Sequence, residues 1–179
     1  MNILNLYFSM TGNTEKVALR IEQTVLKLGH SVDTIHVTDK TADLDFLRYD
    51  FVFVGSGVYQ WLPGKPLMDL LSTSCRQYVA KGEVQPASPR TPGRNAVVYC
   101  TYGGAHTGAN EAVPAVKYMG QLFDHLGFHV VAEWYFVGEY RMKNLTELSD
   151  AGRLGDIRGR PNEEDLRELT ERVKGILRI

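Results

Sequence analysis

The sequence predicts an α/β protein in which a five-stranded parallel sheet lies between two layers of helices. Two observations carry this prediction. Apolar runs of strand length alternate along the 179 residues with segments of helical apolar spacing, and three of those runs end in loops rich in Gly, Ser and Thr. Strands separated by helices pair in parallel through right-handed crossovers, which place helices on both faces of the sheet. The length suits one doubly wound domain, residues 1–179.

Five segments have the composition of strands: residues 3–8, 31–37, 51–54, 96–100 and 129–137. The runs at 51–54 and 96–100 are continuously apolar, which is typical of strands that are covered on both faces. The run at 31–37 alternates polar and apolar residues instead, so it is predicted to be an edge strand.

Four helices are predicted from apolar spacing and from end signals. The first covers residues 14–29 and the second about 65–79. The third has Pro114 in its first turn, where a missing N–H is tolerated, and ends at Gly127. The last begins at Asn162, because three acidic residues follow in its first turn.

The remaining segments connect these elements. Residues 38–49 are mixed in character, with a short helix expected around 43–47. Residues 81–94 contain three prolines and two glycines without periodicity, which predicts a surface excursion. Residues 138–161 are charged and form an unusually long connection. Because long ordered connections are often functional, we expect this one to cover the site or to contact a partner.

Composition limits the possible functions. The net charge of −1 gives no reason to expect a nucleic-acid partner, and no segment has the length of a membrane span or the pattern of a signal peptide. The two cysteines, Cys75 and Cys100, form no C-x-x-C pair, which argues against an iron–sulfur cluster and for a reducing cytoplasm. No metal site is predicted. Cys100 is expected in the core, since it ends an apolar run.

The loop after the first strand, Ser9-Met10-Thr11-Gly12-Asn13-Thr14, has the chemistry of an anion site. It leads into a helix N-terminus, whose first N–H groups lack intrahelical partners and carry the positive end of the helix dipole. Hydroxyls and an amide add donors, and glycine permits close approach. The alternative is an ordinary capped turn, since the same residue types are preferred caps. Neither common glycine-rich nucleotide motif is present.

This loop, with the strand before it and the helix after it, resembles the phosphate loop of flavodoxin and its relatives, which bind FMN. The resemblance extends in outline over nearly the whole chain and implies the strand order 2-1-3-4-5. Ligands then lie at the carboxyl ends of strands 1, 3 and 4, where this sequence has its three glycine-rich loops. Met10 departs from the pattern, because many relatives carry a hydroxyl there, and flavodoxins proper are strongly acidic.

The resemblance implies that all three loops hold FMN. The first would bind the phosphate without a Lys or Arg of its own, which leaves negative charge near the flavin and lowers its potential. Tyr59 and Trp61 would form walls for the ring, unless they are only half-exposed loop packing, and so would Tyr102. The predicted cofactor-binding residues are Ser9, Met10, Thr11, Gly12, Asn13, Thr14, Ser56, Gly57, Val58, Tyr59, Gln60, Trp61, Thr101, Tyr102, Gly103, Gly104 and Gly108.

Three functions stay open. The leading one is an FMN protein in electron transfer, with a redox partner protein or a small-molecule acceptor. The second is an NAD(P)H-dependent quinone or FMN reductase, for which His106 is a weak catalytic candidate. Arg158 and Arg160 would then clamp an anionic substrate or a cofactor phosphate, although a solvated arginine pair is the simpler reading. The third is a docking module without flavin. A homodimer is possible in each case.

Gln60 bears on the choice between carrier and enzyme. In flavodoxins a residue at this place, usually glycine, turns its peptide when the flavin takes one electron. A turn into positive φ costs a residue with a Cβ about 1–2 kcal/mol more than glycine. We therefore expect the one-electron-reduced flavin to be less favoured here than in flavodoxins with glycine.

Overall fold

The computed structural model describes residues 1–41 and 44–178. Within them, five parallel strands form one sheet in the order β2-β1-β3-β4-β5, as predicted. β2 lies at one edge of the sheet, in agreement with its alternating pattern. The strand bounds are β1 Asn2–Phe8, β2 Ser31–His36, β3 Phe51–Gly57, β4 Asn95–Tyr102 and β5 His129–Val137.

The predicted helices are all present, and one short helix was not expected. The helix bounds are α1 Asn13–Lys27, α2 Lys65–Ala80, α3 Val113–His125, α4 Leu148–Ala151 and α5 Glu163–Ile176, with 3₁₀ turns at Phe46–Arg48 and Gly108–Glu111. In place of the short helix expected at 43–47, the structure has the 3₁₀ turn at Phe46–Arg48, and residue 43 lies outside the described residues. α4 interrupts the long connection after β5, where sequence periodicity gave no signal.

The sheet separates two apolar cores because neighbouring residues of each strand point to opposite faces. Leu4 and Val52 pack on the side of α2 and α3, whereas Ile3 and Phe53 pack on the side of α1 and α5. All seven residues of β3 are buried, as its continuous apolar run predicts. The prediction that Cys100 belongs to the core is confirmed, since its side chain has no exposed surface.

The segment 81–94 is irregular and mostly exposed, in agreement with the prediction of a surface excursion. Its end is fixed to the fold by the N–H of Thr91, which donates to the carbonyl of Gly127 at 2.8 Å. Among the described residues, none of the helices combines the length and the apolar character that crossing a membrane requires.

Candidate functional site

The carboxyl ends of β1, β3 and β4 open into one cleft of about 460 Å³. That volume lies within the range of about 300–1,000 Å³ that is usual for small-molecule sites. The cleft is lined by residues of the three glycine-rich loops and of the connection after β5, namely Thr11, Asn13, Thr14, Gly57, Val58, Tyr59, Gln60, Trp61, Thr101, Tyr102, Gly103, Gly104, Glu111, Gly138, Glu139, Tyr140, Arg141, Met142 and Leu145.

The N-terminus of α1 is open toward this cleft. Gly12 precedes the helix with φ +90°, a left-handed conformation that favours glycine, and no side chain caps the helix. The first helical bond runs from the N–H of Lys16 to the carbonyl of Gly12 at 3.1 Å. Among the described residues, the N–H groups of Asn13, Thr14 and Glu15 have no acceptor. Free N–H donors at the positive end of a helix dipole are the features that anions bind.

α5 shows that the chain caps helices elsewhere. The side chain of Asn162 accepts from the N–H groups of Glu164 and Asp165, at 3.0 and 3.1 Å, and Asp165 caps the backbone of Asn162 in return. This reciprocal arrangement satisfies the second and third N–H groups of α5, whose counterparts in α1 are free. α2 and α3 also begin without a side-chain cap, so what distinguishes α1 is that the residues of its first turn line the cleft.

Asn13 and Thr14 are the buried polar residues of the loop. Asn13 is only 6% exposed, and its Nδ2 donates to the carbonyl of Glu139 at 2.8 Å. Its Oδ1 is buried and has no partner in the described part of the chain, so this residue of the cleft wall has an unused acceptor. The hydroxyls of Thr14 and Thr101 lie 2.8 Å apart and connect the first loop to the third.

The second loop is a tight turn from Tyr59 to Leu62. These two residues exchange backbone hydrogen bonds at 2.8 and 3.1 Å, and both central residues have positive φ, +48° for Gln60 and +69° for Trp61. Positive φ at both positions defines a type I′ turn, which usually contains Asn or Gly. The hydroxyl of Tyr59 accepts from the N–H of Met10 at 3.1 Å, and burial raises the Tyr59 pKa. Trp61 is 62% exposed at the mouth of the cleft.

The third loop is packed too closely for side chains at its glycines. A Cβ on Gly103 would lie 2.2 Å from the ring of Tyr140, and a Cβ on Gly104 would lie 2.9 Å from the carbonyl oxygen of Gly108. One carboxylate oxygen of Glu111 accepts from the N–H groups of His106 and Thr107, both at 2.7 Å. His106 is exposed and does not line the cleft.

The fourth wall comes from residues 138–161, here called the β5–α5 connection. The N–H of Gly138 donates to the carbonyl of Tyr102 at 2.9 Å, and a Cβ on Gly138 would lie 2.9 Å from Nδ2 of Asn13. Tyr140 covers Gly103, and its N–H donates to the buried hydroxyl of Ser149 at 2.9 Å. The connection is therefore an ordered part of the site.

Glu139 and Arg141 form an ion pair beside the first loop. Nε of Arg141 donates to Glu139 at 2.8 Å, and its Nη1 donates to the carbonyl of Thr11 at 3.3 Å. The other carboxylate oxygen of Glu139 accepts from the N–H of Gly159 at 2.7 Å. That N–H, and then Arg141, lower the pKa of Glu139 by stabilising its charged form.

Most of the predicted cofactor-binding residues line the cleft. Those that do not are Ser9, Met10, Gly12, Ser56 and Gly108. Ser9 and Gly12 shape the first loop, where the Ser9 hydroxyl accepts from the N–H of Gly12 at 3.1 Å. Ser56 is fully buried, and its hydroxyl accepts from the N–H of Gly64 at 3.0 Å, so it supports the second loop from below.

The expectation that the connection after β5 covers the site agrees with the lining of the cleft, which includes residues between 138 and 145. None of these residues was predicted individually, and Glu111 was not predicted. The only signal in the sequence for this wall is the unusual length and charge of the connection after β5. The path of that connection across the first loop depends on contacts that lie more than 100 residues apart, such as Asn13 with Glu139.

Comparison with known proteins agrees with this geometry. A flavodoxin domain model matches residues 4–81. Flavodoxin 1 of Bacillus cereus has the same fold, with TM-score 0.68, 16% identity, and 99% of this chain and 98% of that chain covered. This chain has the flavodoxin-like fold. The Streptococcus pneumoniae TIGR4 flavodoxin is similar to it with TM-score 0.61, 21% identity, and 98% and 99% of the two chains covered.

The flavodoxin-like fold also matches part of a larger protein. Rubredoxin oxygen:oxidoreductase of Desulfovibrio gigas is similar with TM-score 0.58 and 13% identity, over 99% of this chain and 36% of that chain. No curated protein matches the sequence. Flavodoxins bind FMN, which is the cofactor that the sequence resemblance implied.

Proposed function

We propose that this flavodoxin-like protein binds FMN in the cleft and carries electrons between redox partners. The observation that carries the proposal is the open N-terminus of α1, which presents free N–H groups where the ends of β1, β3 and β4 meet. When bound, FMN accepts and releases electrons singly or in pairs.

The first loop fits the phosphate end of FMN. The N–H groups of Asn13, Thr14 and Glu15 are free for an anion, and the hydroxyls of Thr11 and Thr14 lie at the same wall. Gly12 lets the backbone approach the phosphate without a Cβ. The amide of Asn13 serves differently from our expectation, because its Nδ2 is already bound to Glu139. Its unused Oδ1 is an acceptor, which suits a ribityl hydroxyl and not a phosphate oxygen.

The second and third loops fit the ring end. Tyr59, Trp61 and Tyr102 supply aromatic surface on two sides of the cleft, and Gly103 and Gly104 bring backbone to its wall. Aromatic walls favour a flat π-system through offset stacking. This combination of free donors and aromatic walls does not favour the third alternative, a docking module without flavin.

The paired arginines favour the carrier over the NAD(P)H-dependent enzyme. Arg158 donates to both carboxylate oxygens of Asp156, at 2.8 and 2.6 Å, and Arg160 is paired with Asp165. Both side chains are thus committed to carboxylates, so the expected clamp for a cofactor phosphate loses its support. The cysteines support a reducing compartment, and we propose a cytoplasmic location on that ground.

A binding titration tests the cofactor. The apo-protein should bind FMN at least about 100-fold more tightly than riboflavin, because two or more hydrogen bonds to a charged phosphate are lost without it. Thr14→Val should weaken FMN binding. Thr24→Val is the matched control, since Thr24 is another buried threonine of α1 whose hydroxyl donates to the carbonyl of Arg20 at 2.8 Å. Equal affinity for the two flavins would contradict the proposal.

A reduction assay tests the carrier role. The FMN-loaded protein, once reduced by dithionite, should reduce a one-electron protein acceptor such as a cytochrome c. It should not be reduced by NADH or NADPH in the absence of a reductase. Rapid reduction by either nicotinamide cofactor would favour the reductase alternative instead.

A further inference from the structure

A guanidinium group lies beside the first loop, although the loop contains no Lys or Arg of its own. Nη1 of Arg141 is 3.3 Å from the carbonyl oxygen of Thr11, and it is 3.5 Å from the position that a Cβ on Gly12 would take. Arg141 lines the cleft, and its side chain is 37% exposed. This arginine comes from the β5–α5 connection, 130 residues away in the sequence.

We propose that Arg141 is a phosphate-binding residue of the cofactor site and makes the site selective for the phosphorylated flavin. The inference rests on the proposed binding of FMN. It assigns to the β5–α5 connection a binding role that the three loops do not supply.

Arg141 has N–H donors that are not used within the described part of the protein and can bind an anion. A guanidinium has five N–H donors. Among the described residues, Arg141 uses its Nε for Glu139 and one N–H of Nη1 for Thr11. Three N–H donors therefore remain, one on Nη1 and two on Nη2. Arg158, in the same connection, differs because both its Nε and its Nη2 bind Asp156, and it does not line the cleft.

The negative charges around the first loop favour a cation at the position of Arg141. Glu15, in the first turn of α1, has Oε2 4.0 Å from the Cβ position of Gly12, and Glu139 lies on the other side of Arg141. An FMN phosphate brings further negative charge to a place that already has two carboxylates. A cation within a few ångströms offsets this repulsion, whereas the helix dipole alone supplies only about half a charge.

Arg141 is also held in place before any ligand binds. Glu139 accepts from Arg141 and from the N–H of Gly159, and its carbonyl accepts from Nδ2 of Asn13 at 2.8 Å. The backbone of Glu139, two residues before Arg141, is thereby fixed to the first loop. A preorganised guanidinium loses little rotamer entropy on binding an anion. Asn13, itself buried with an unused Oδ1, lies next to this anchor and marks the same place as a ligand site.

The test compares FMN with riboflavin, which lacks only the phosphate. In Arg141→Gln, the Kd for FMN should rise about 10- to 100-fold, as expected for one or two hydrogen bonds from a charged donor. The Kd for riboflavin should stay within about twofold of wild type. Arg141→Lys keeps the charge but not the planar fork, so it should fall between the two. Arg158→Gln is the matched control and should bind both flavins as the wild type does.

A second measurement uses inorganic phosphate alone. Phosphate should raise the Tm of the wild-type apo-protein, because a ligand that binds only the folded state stabilises it. The increase should be much smaller in Arg141→Gln and unchanged in Arg158→Gln. The phosphate measurement tests the role of Arg141 even where riboflavin binds too weakly for its Kd to be titrated.

The outcomes separate this inference from the proposed function. If the wild type binds FMN tightly and Arg141→Gln weakens FMN and riboflavin equally, Arg141 only positions the connection and the inference is wrong. Unchanged FMN affinity in Arg141→Gln would be just as decisive against it. If the wild type binds neither flavin, the proposed function itself fails, and this inference fails with it.

Discussion

Gly12 and Gly29 stand at opposite ends of α1 with similar backbone conformations, φ +90° and +80°. Only their surroundings differ. A Cβ on Gly29 would meet nothing within 4 Å, whereas a Cβ on Gly12 would point at the guanidinium of Arg141. Substitutions at these two glycines therefore separate the loss of stability caused by a side chain at positive φ from the loss of flavin affinity.

We expect Gly12→Ala and Gly29→Ala to lower the free energy of unfolding by similar amounts, about 1–2 kcal/mol, because alanine disfavours positive φ. Only Gly12→Ala should weaken FMN binding. Urea denaturation of the apo-proteins measures the first effect and flavin titration the second. A loss of FMN affinity in Gly29→Ala would show that the site responds to general destabilisation.

Gln60 already has the positive φ that we expected it to acquire only on reduction of the flavin. The strain therefore exists in the resting turn. Turning the peptide between Gln60 and Trp61 converts a type I′ turn into a type II′ turn, whose first central position is almost reserved for glycine. Gln60 thus opposes the rotation, because the backbone conformation that it would have afterwards is unfavourable for a residue with a Cβ.

The substitution Gln60→Gly should make that rotation easier. We expect the first one-electron potential of the bound flavin to rise relative to the second by roughly 40–90 mV, the equivalent of about 1–2 kcal/mol. Gln60→Ala keeps the Cβ and should leave the separation of the two potentials as in wild type. Spectroelectrochemical titration measures both potentials. No change in Gln60→Gly would mean that this peptide does not turn.

At the scale of elements, the β5–α5 connection acts as a wall because its backbone and side chains are tied to the loops. Glu139 is central to this arrangement, since its carboxylate accepts from Gly159 and Arg141 and its carbonyl accepts from Asn13. The carboxylate contacts all favour the charged form, so folding lowers the Glu139 pKa.

A lowered carboxyl pKa makes stability depend on pH in a defined direction. The stabilisation by Glu139 is complete above the ordinary glutamate pKa of 4.5 and is lost as the pH falls through the lowered value in the folded protein. Glu139→Gln should reduce stability at pH 7 and flatten the loss of stability below pH 4.5. Glu83→Gln, an exposed glutamate of the surface excursion, is the control. Urea unfolding at several pH values gives the curves, and parallel curves for wild type and Glu139→Gln would contradict the prediction.

At the scale of the whole molecule, the low net charge of −1 distinguishes this protein from strongly acidic flavodoxins. The mouth of the cleft is also apolar at several points. Trp61 and Met142 line the cleft and are exposed by 62% and 43%, and Met10 in the neighbouring first loop is exposed by 59%. A partner that approaches such a surface gains little from long-range charge attraction and more from burying apolar side chains.

We therefore expect the rate of electron transfer to a protein acceptor to depend only weakly on salt. The second-order rate constant should change by less than about threefold between low and physiological ionic strength, because steering requires complementary charge. A strongly acidic flavodoxin with the same basic acceptor should slow markedly over that range. Stopped-flow mixing measures both rates. A steep decrease for this protein would point to a charged patch that its net charge conceals.

The sequence alone determined the parts of this protein that depend on local pattern. Periodicity and apolar runs located the five strands and the main helices, and the glycine-rich strand ends located three walls of the cleft. These features are local because strand and helix periods are short and because parallel strands bring their carboxyl ends to one edge. The resemblance of Ser9–Thr14 to a phosphate loop then implied the strand order and the cofactor.

The tertiary structure decided what depends on contacts between distant residues. It placed Glu139 and Arg141 against the first loop, committed Nδ2 of Asn13 to a backbone carbonyl and left its Oδ1 unused. It also paired Arg158 with Asp156 and so removed it as a ligand candidate. No local pattern encodes these outcomes, because the free energy of each contact depends on how a long connection packs across a sheet edge formed far away in the sequence.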